Sequence, residues 1–212
     1  MSSPIQLAQY DNSWFHPGGS MLRRAAWFFL GQPILRAAWI PSSSLRVRLL
    51  RLFGARIGHG VTIKPSVDVK YPWHLTIGDH CWIGEHAWID NLTSVRLESN
   101  VCISQGAYLC TGNHNWTDPH FGLMIAPIHL QEGSWAGAKS ILTPGCVLGK
   151  GAIAAAGSVI SGLVPDFEIY AGNPAHFLKK RIIQPKAASS TPETPNERAQ
   201  ANVASSEKRI HT

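Results

Sequence analysis

From Ile57 onward an aliphatic residue returns every six positions, opening hexads at Ile57, Ile63, Ile77, Ile83, Ile89, Leu97, Ile103, Leu130, Ala136, Leu142, Leu148 and Ala154. The fifth residue of these hexads is Val61, Val67, Cys81, Ala87, Thr93, Val101, Ala107, Ser134, Ser140, Cys146, Ala152 and Ser158, always small or β-branched. Neither a helix of period 3.6 nor a strand of period 2 restricts two positions at a spacing of six. A chain that turns a corner every six residues does. It sends one large side chain per short strand inward and needs a small one where the next strand begins. The pattern therefore predicts a parallel β-helix, with coils stacked about 4.8 Å apart so that each strand is paired above and below. Second-position glycines at 58, 78, 84, 137 and 149 fit the expected corners.

Three interruptions break the array. Tyr71 to His74 adds residues before Ile77, Ser94 to Arg96 adds two before Leu97, and Thr111 to Ile128 is much longer. The last is too long for a corner and too rich in His, Trp and Asp for a spacer, which marks it as a functional loop over the outer surface. Its candidate chemical group is His114, since a histidine near pKa 6.5 is mostly neutral at pH 7 and can accept a proton.

Residues 12–67 contain no Asp or Glu but eight basic residues: Arg23, Arg24, Arg36, Arg46, Arg48, Arg51, Arg56 and Lys64. The whole chain carries +6, so the remainder is slightly acidic. Trp27, Phe28, Phe29 and Trp39 lie among these arginines. Basic and aromatic residues together on short helices suit an anionic membrane surface or a lipid-linked substrate, or equally helices packed on the main domain with solvated arginines. No nucleic-acid module is recognisable. Ser20 is positioned to cap a helix over 21–30 that Gly31 and Pro33 would end, with further short helices over 34–40 and 44–53.

Four cysteines without C-x-x-C spacing read as reduced thiols of a cytosolic protein. Met1 to Asp11 lacks the pattern of a signal peptide, and Ala25 to Ile40, broken by Pro33 and Arg36, is too short for a membrane span. The organisation expected is a helical arm (1–53), a β-helix (54–165), a capping segment (166–183) with a short helix over 175–183, and a disordered tail (184–212).

The hexads, followed by Val164-Pro165 and by Tyr170-Ala171-Gly172-Asn173-Pro174-Ala175, resemble the left-handed β-helix acyltransferases. Trp88-Ile89-Asp90-Asn91-Leu92 and the run from Asn100 to His114 are similar to the colanic-acid-biosynthesis O-acetyltransferases. The resemblance covers about residues 45 to 183. It implies a left-handed coil of three hexads, a homotrimer, acetyl-CoA bound between subunits, and transfer of acetyl to a sugar hydroxyl of an exopolysaccharide or its lipid-linked precursor; the reduced cysteines and the basic arm place the protein in the cytoplasm, at the inner face of the membrane. By that resemblance His114 is the catalytic base and Asp90 lies on the acceptor side. Trp135 lines the acceptor or thioester region, Ala138 and Ala156 touch pantetheine through their backbones, and Ser161 and Lys179 lie near the nucleotide. His176 and Gly162 stand where basic residues are common in the family, shifting the expected phosphate contacts to Lys179, Lys180 and Arg181.

Beside this reading, Asn113 and Trp116 are further acceptor candidates, Asp90 or Asp118 could orient His114, and Cys110 could carry an acyl group. No metal is expected, but His80 and His86, six apart, could stack at successive coils, with His114 and His120 in the loop. A zinc hydratase is therefore the rival enzyme. A non-enzymatic trimeric scaffold at the membrane is the third reading.

Overall fold

The hexads wind into a parallel β-solenoid of three faces. The first face stacks six strands from Arg56–Ile57 to Leu163–Val164, the second begins at Thr62–Ile63, and the third stacks five from Asp68–Val69 to Val159–Ile160. Every pairing between coils is parallel, with Ile57 opposite Ile77 and Ile63 opposite Ile83. This computed structural model describes residues 4–184. Residues 185–212, most of the segment whose composition predicts a disordered tail, lie outside the described residues.

Both restricted hexad positions point inward. Ile63, Ile77, Ile83, Ile103, Leu130 and Leu142 are buried, and so are the small fifth residues Cys81, Ala87, Ala107, Ser134, Ser140 and Ala152. Some inward strands escape the repeat as read from sequence. Val69, Leu109 and Ile160 are buried like the other hexad openers, but each leads into an insertion or a shortened turn, so no fifth position marks them. Burial pushes the Cys146 thiol up to about 12, as expected of an inert core thiol.

The corners differ from expectation. Glycines 58, 78, 84, 137 and 149 do not supply the left-handed conformation; they permit close approach, since a Cβ on Gly78 or Gly137 would lie 2.6 Å from backbone of the next coil. Positive φ falls at the fourth hexad position instead, at Gly60, Ser66, His80, His86, Asn100, Gly106, Gly133, Lys139, Gly145, Gly151 and Gly157. His80 and His86 are thus corner residues. Six residues advance the chain by one face rather than one coil, so they occupy different corners of the same coil and do not stack.

All three insertions open at one edge of the prism, where the third face turns into the first. There Pro72–His74 forms a 3-10 turn, and Asn91 is buried with both amide atoms bonded to the backbone of Tyr71. The long loop leaves from the same edge after Cys110.

The N-terminal helices are more continuous than the sequence suggests. Ser20 caps Met21–Ala26 by accepting from the Arg23 N–H, as expected, but the helix passes through Gly31 and Pro33 by way of a π turn at Trp27–Gly31 and ends at Arg36. Gly31 is needed because Trp27 lies where its Cβ would be, and Pro33 at the start of the following turn needs no N–H partner. The next helix is Ser43–Leu52, capped by Ser42. Arg46, one of the basic residues assigned to a surface, is buried. It donates to the carbonyls of Leu35, Ala37, Ile40 and Ser42 and closes the end of the preceding helix. Arg51 likewise bonds the carbonyls of Ile57 and Gly58. Among the described residues no helix is long and apolar enough to cross a membrane.

The expected C-terminal helix is absent. Ala175–Lys180 is a strand, antiparallel to Glu168–Gly172 after a reversal at Asn173-Pro174. The last strand of a parallel stack exposes unpaired N–H and C=O groups, and the returning chain satisfies them, overriding the helix propensity of Ala, Leu and Lys.

Candidate active site

The long loop is rooted by Thr111, which is buried and donates its hydroxyl to the Asp90 carbonyl while its own carbonyl accepts from Ala126. From this root Gly112–His114 pairs antiparallel with Leu123–Ile125, placing His114 opposite Leu123 at the mouth of a hairpin. His114 Nδ1 lies 2.8 Å from the Phe121 carbonyl oxygen. A carbonyl only accepts, so Nδ1 carries the proton and Nε2 keeps its lone pair. The His114 amide is bonded to Asn113 Oδ1 at 2.8 Å.

Asp90 does not orient the imidazole. Its Oδ1 forms an ion pair with Lys70 at 2.9 Å, without the alignment of a hydrogen bond, and its Oδ2 accepts from the Tyr108 hydroxyl at 3.2 Å. Asp118 braces the hairpin instead, accepting from the amides of His120 and Gly122; these N–H groups hold its carboxyl below the usual range. Cys110 gives its S–H to the Gly112 carbonyl. Trp116 is exposed at the loop tip.

Residues 6–10 reach this site. Gln6 donates its amide to the Pro119 carbonyl, and the Tyr10 ring meets His114 edge-on at 5.7 Å between centroids. Leu7, Tyr10, His114 and Phe121 line a groove of about 410 Å³. Further along, the Pro17 carbonyl accepts from Trp73 Nε1, so the segment tracks the edge of the prism that carries the insertions.

The positions carried over for acetyl-CoA lie elsewhere on the prism. Trp135 is on the outside of the second face, half-exposed, with Nε1 donating to Ser104. Ala136 pairs with Ala154, so Ala138 and Ala156 stack one coil apart at the next corner. Neither amide N–H has a protein acceptor among the described residues. Two unpaired donors in a row suit an extended chain of amides and carbonyls. Ser161 is exposed at the following corner, and Lys179 is exposed on the last strand. Lys180 is paired with Glu168, and Arg181 donates to the carbonyls of Gly133 and Gly151, so Lys179 is the one of these three cations without a protein partner among the described residues. Within one protomer the third face separates His114 from Ala138 and Ala156.

No family profile matches the chain. It is 36% identical over 167 residues to the colanic acid biosynthesis acetyltransferase WcaF of Escherichia coli, covering 78% of this chain and 91% of that one. The chain belongs to this family of hexapeptide-repeat acetyltransferases. The solenoid of an acetyltransferase from Vibrio cholerae, solved with acetyl-CoA, superposes with a TM-score of 0.69 at 20% identity over 76% of this chain and 88% of the other. A galactoside acetyltransferase in complex with coenzyme A gives 0.65 at 21% identity over 75% and 80%.

In this acetyltransferase the two contacts that the structure gives the His114 ring, with Tyr10 and with the Phe121 carbonyl, were not legible in the sequence. Tyr10 lies outside every repeat, and a backbone acceptor carried by a residue at positive φ leaves no side-chain signature.

Proposed function

We propose that the protein transfers acetyl from acetyl-CoA to a hydroxyl of a saccharide, with His114 as general base. The observation that carries this reading is the Nδ1–H bond to Phe121, which leaves Nε2 able to take a proton. Nε2 removes the hydroxyl proton as the sugar oxygen bonds to the thioester carbonyl carbon. The tetrahedral intermediate collapses with cleavage of the C–S bond, and the imidazolium returns its proton to the departing CoA sulfur. Direct attack requires no acyl-enzyme, and the engagement of Cys110 with Gly112 favours that course.

Acetyl-CoA lies along the corner of Ala138 and Ala156, with Trp135 beside the thioester and Ser161 and Lys179 toward the nucleotide. Lys180 and Arg181 act mainly by holding the last coil. The acceptor occupies the His114 groove, with Asp90, Asn113 and Trp116 around it. Because Ala138 and Ala156 lie across the third face from His114, we propose a homotrimer in which one copy supplies His114 and its neighbour the CoA corner.

The enzyme works in the cytoplasm, where acetyl-CoA is supplied, with its N-terminal helices against an anionic membrane. Leu22, Phe29 and Leu30 are 79%, 71% and 64% exposed beside Arg23, which supports this placement and a lipid-linked exopolysaccharide precursor as acceptor. Release of CoA thiol from acetyl-CoA by the purified protein should depend on added saccharide, with acetyl recovered as an ester on the sugar. Stoichiometric zinc, with activity abolished by a chelator, would instead indicate the hydratase.

A further inference from the structure

A cleft of about 450 Å³ opens between the N-terminal helix and the third face, with Arg24 and Phe28 on one side and Lys70, Trp73 and Trp88 on the other. It shares no lining residue with the groove at His114. Most polar groups around it are already engaged. Gln32 and Arg36 both bond Asp68, Lys70 is paired with Asp90, and the Trp73 indole N–H goes to the Pro17 carbonyl.

Arg24 is the exception. Its Nε is buried without an acceptor, and its guanidinium has no carboxylate partner among the described residues. A buried, unanswered guanidinium N–H is costly, and its fork suits the paired oxygens of a carboxylate or phosphate. Trp88 supplies the second element. Tyr108, its neighbour in the next coil, stacks on it at 4.5 Å between centroids, while Asp68 is its neighbour on the opposite side. Tyr108 therefore covers one indole face, and Trp88, 43% exposed, lines the cleft. The apolar C–H face of a pyranose fits such a surface. A nucleobase would need several donors and acceptors along its edge, and here those groups are mostly in use.

We propose that this cleft binds a saccharide unit bearing one anionic group, its ring lying on Trp88 and its anion held by Arg24. The site is independent of acetyl transfer at His114, so it can be tested without acetyl-CoA. Full-length protein is titrated calorimetrically with a methyl glucuronide, glucose 1-phosphate and neutral methyl glucoside, with tryptophan fluorescence monitored in parallel. The proposal expects at least one anionic sugar to bind about tenfold or more tightly than the neutral one, and the better of the two identifies carboxylate or phosphate as the natural anion. Arg24→Leu should reduce the preferred ligand to the affinity of the neutral sugar, with the thermal midpoint not lowered and CoA affinity unchanged. Trp88→Ala should weaken it and remove the fluorescence change. Equal affinity for all three sugars, no binding of any, unchanged binding by Arg24→Leu, or displacement of the bound sugar by CoA would overturn the proposal.

Discussion

His114 and Phe121 face each other across the mouth of the loop hairpin, the imidazole Nδ1–H bonded to the Phe121 carbonyl at 2.8 Å. Phe121 holds that carbonyl in place with φ at +55°, and Asp118 steadies the turn through the amides on either side of it, His120 and Gly122. Asp118→Ala should therefore lower kcat about tenfold by loosening the tautomer-fixing bond, while KM for acetyl-CoA stays constant. The depressed carboxyl pKa gives the sign with pH. The brace is present above the unfolded value near 4 and is lost as pH falls through the lower folded value, so the ratio of wild-type to variant kcat should stay constant from neutral pH down to about 5.

Tyr10 meets the His114 ring from the N-terminal segment and walls the groove proposed for the acceptor. Tyr10→Ala should raise KM for the acceptor about fivefold, the worth of one aromatic contact, and leave KM for acetyl-CoA within experimental error. Steady-state kinetics with each substrate varied separately reads this directly.

If neighbouring copies share each active site, two defective variants should repair each other. Trp135→Ala and His114→Ala are each expected to be nearly inactive alone. Co-expressed in equal amounts, they should recover about a quarter of wild-type activity, because that share of sites then draws an intact residue from each neighbour. Activity no higher than that of the separate variants would place both residues in one chain's site.

Two glycines separate the roles of the repeat positions. A Cβ on Gly137 would lie 2.6 Å from the Ala154 carbonyl oxygen, whereas one on Gly157 meets nothing within 4 Å and carries only the strain of φ at +71°. Gly137→Ala should cost about 1–3 kcal/mol and Gly157→Ala about 1 kcal/mol, with the thermal midpoint falling further for the first.

The solenoid is legible in the sequence because each strand must bury one large and one small residue at fixed spacing, as Ile103 and Ala107 do. Val69, Leu109 and Ile160 escape that reading because they lead into turns of irregular length. The corner rule is harder to read, since His80 and Lys139 share a conformation with Gly60 that no common side chain announces. Ala175–Lys180 reads locally as a helix and becomes a strand because an open sheet edge needs a partner. At the candidate site, His114 stands out by its break with the repeat. Its Phe121 carbonyl and Tyr10 contacts arise only when separate segments converge on one edge of the prism.

The most direct test measures CoA thiol release under saturating acetyl-CoA and a saccharide acceptor, for wild type and for His114→Ala folded to the same thermal midpoint. A general base at His114 predicts a fall in kcat of about 10²–10⁴ with the affinity for CoA preserved. Turnover by His114→Ala at the wild-type rate would contradict it.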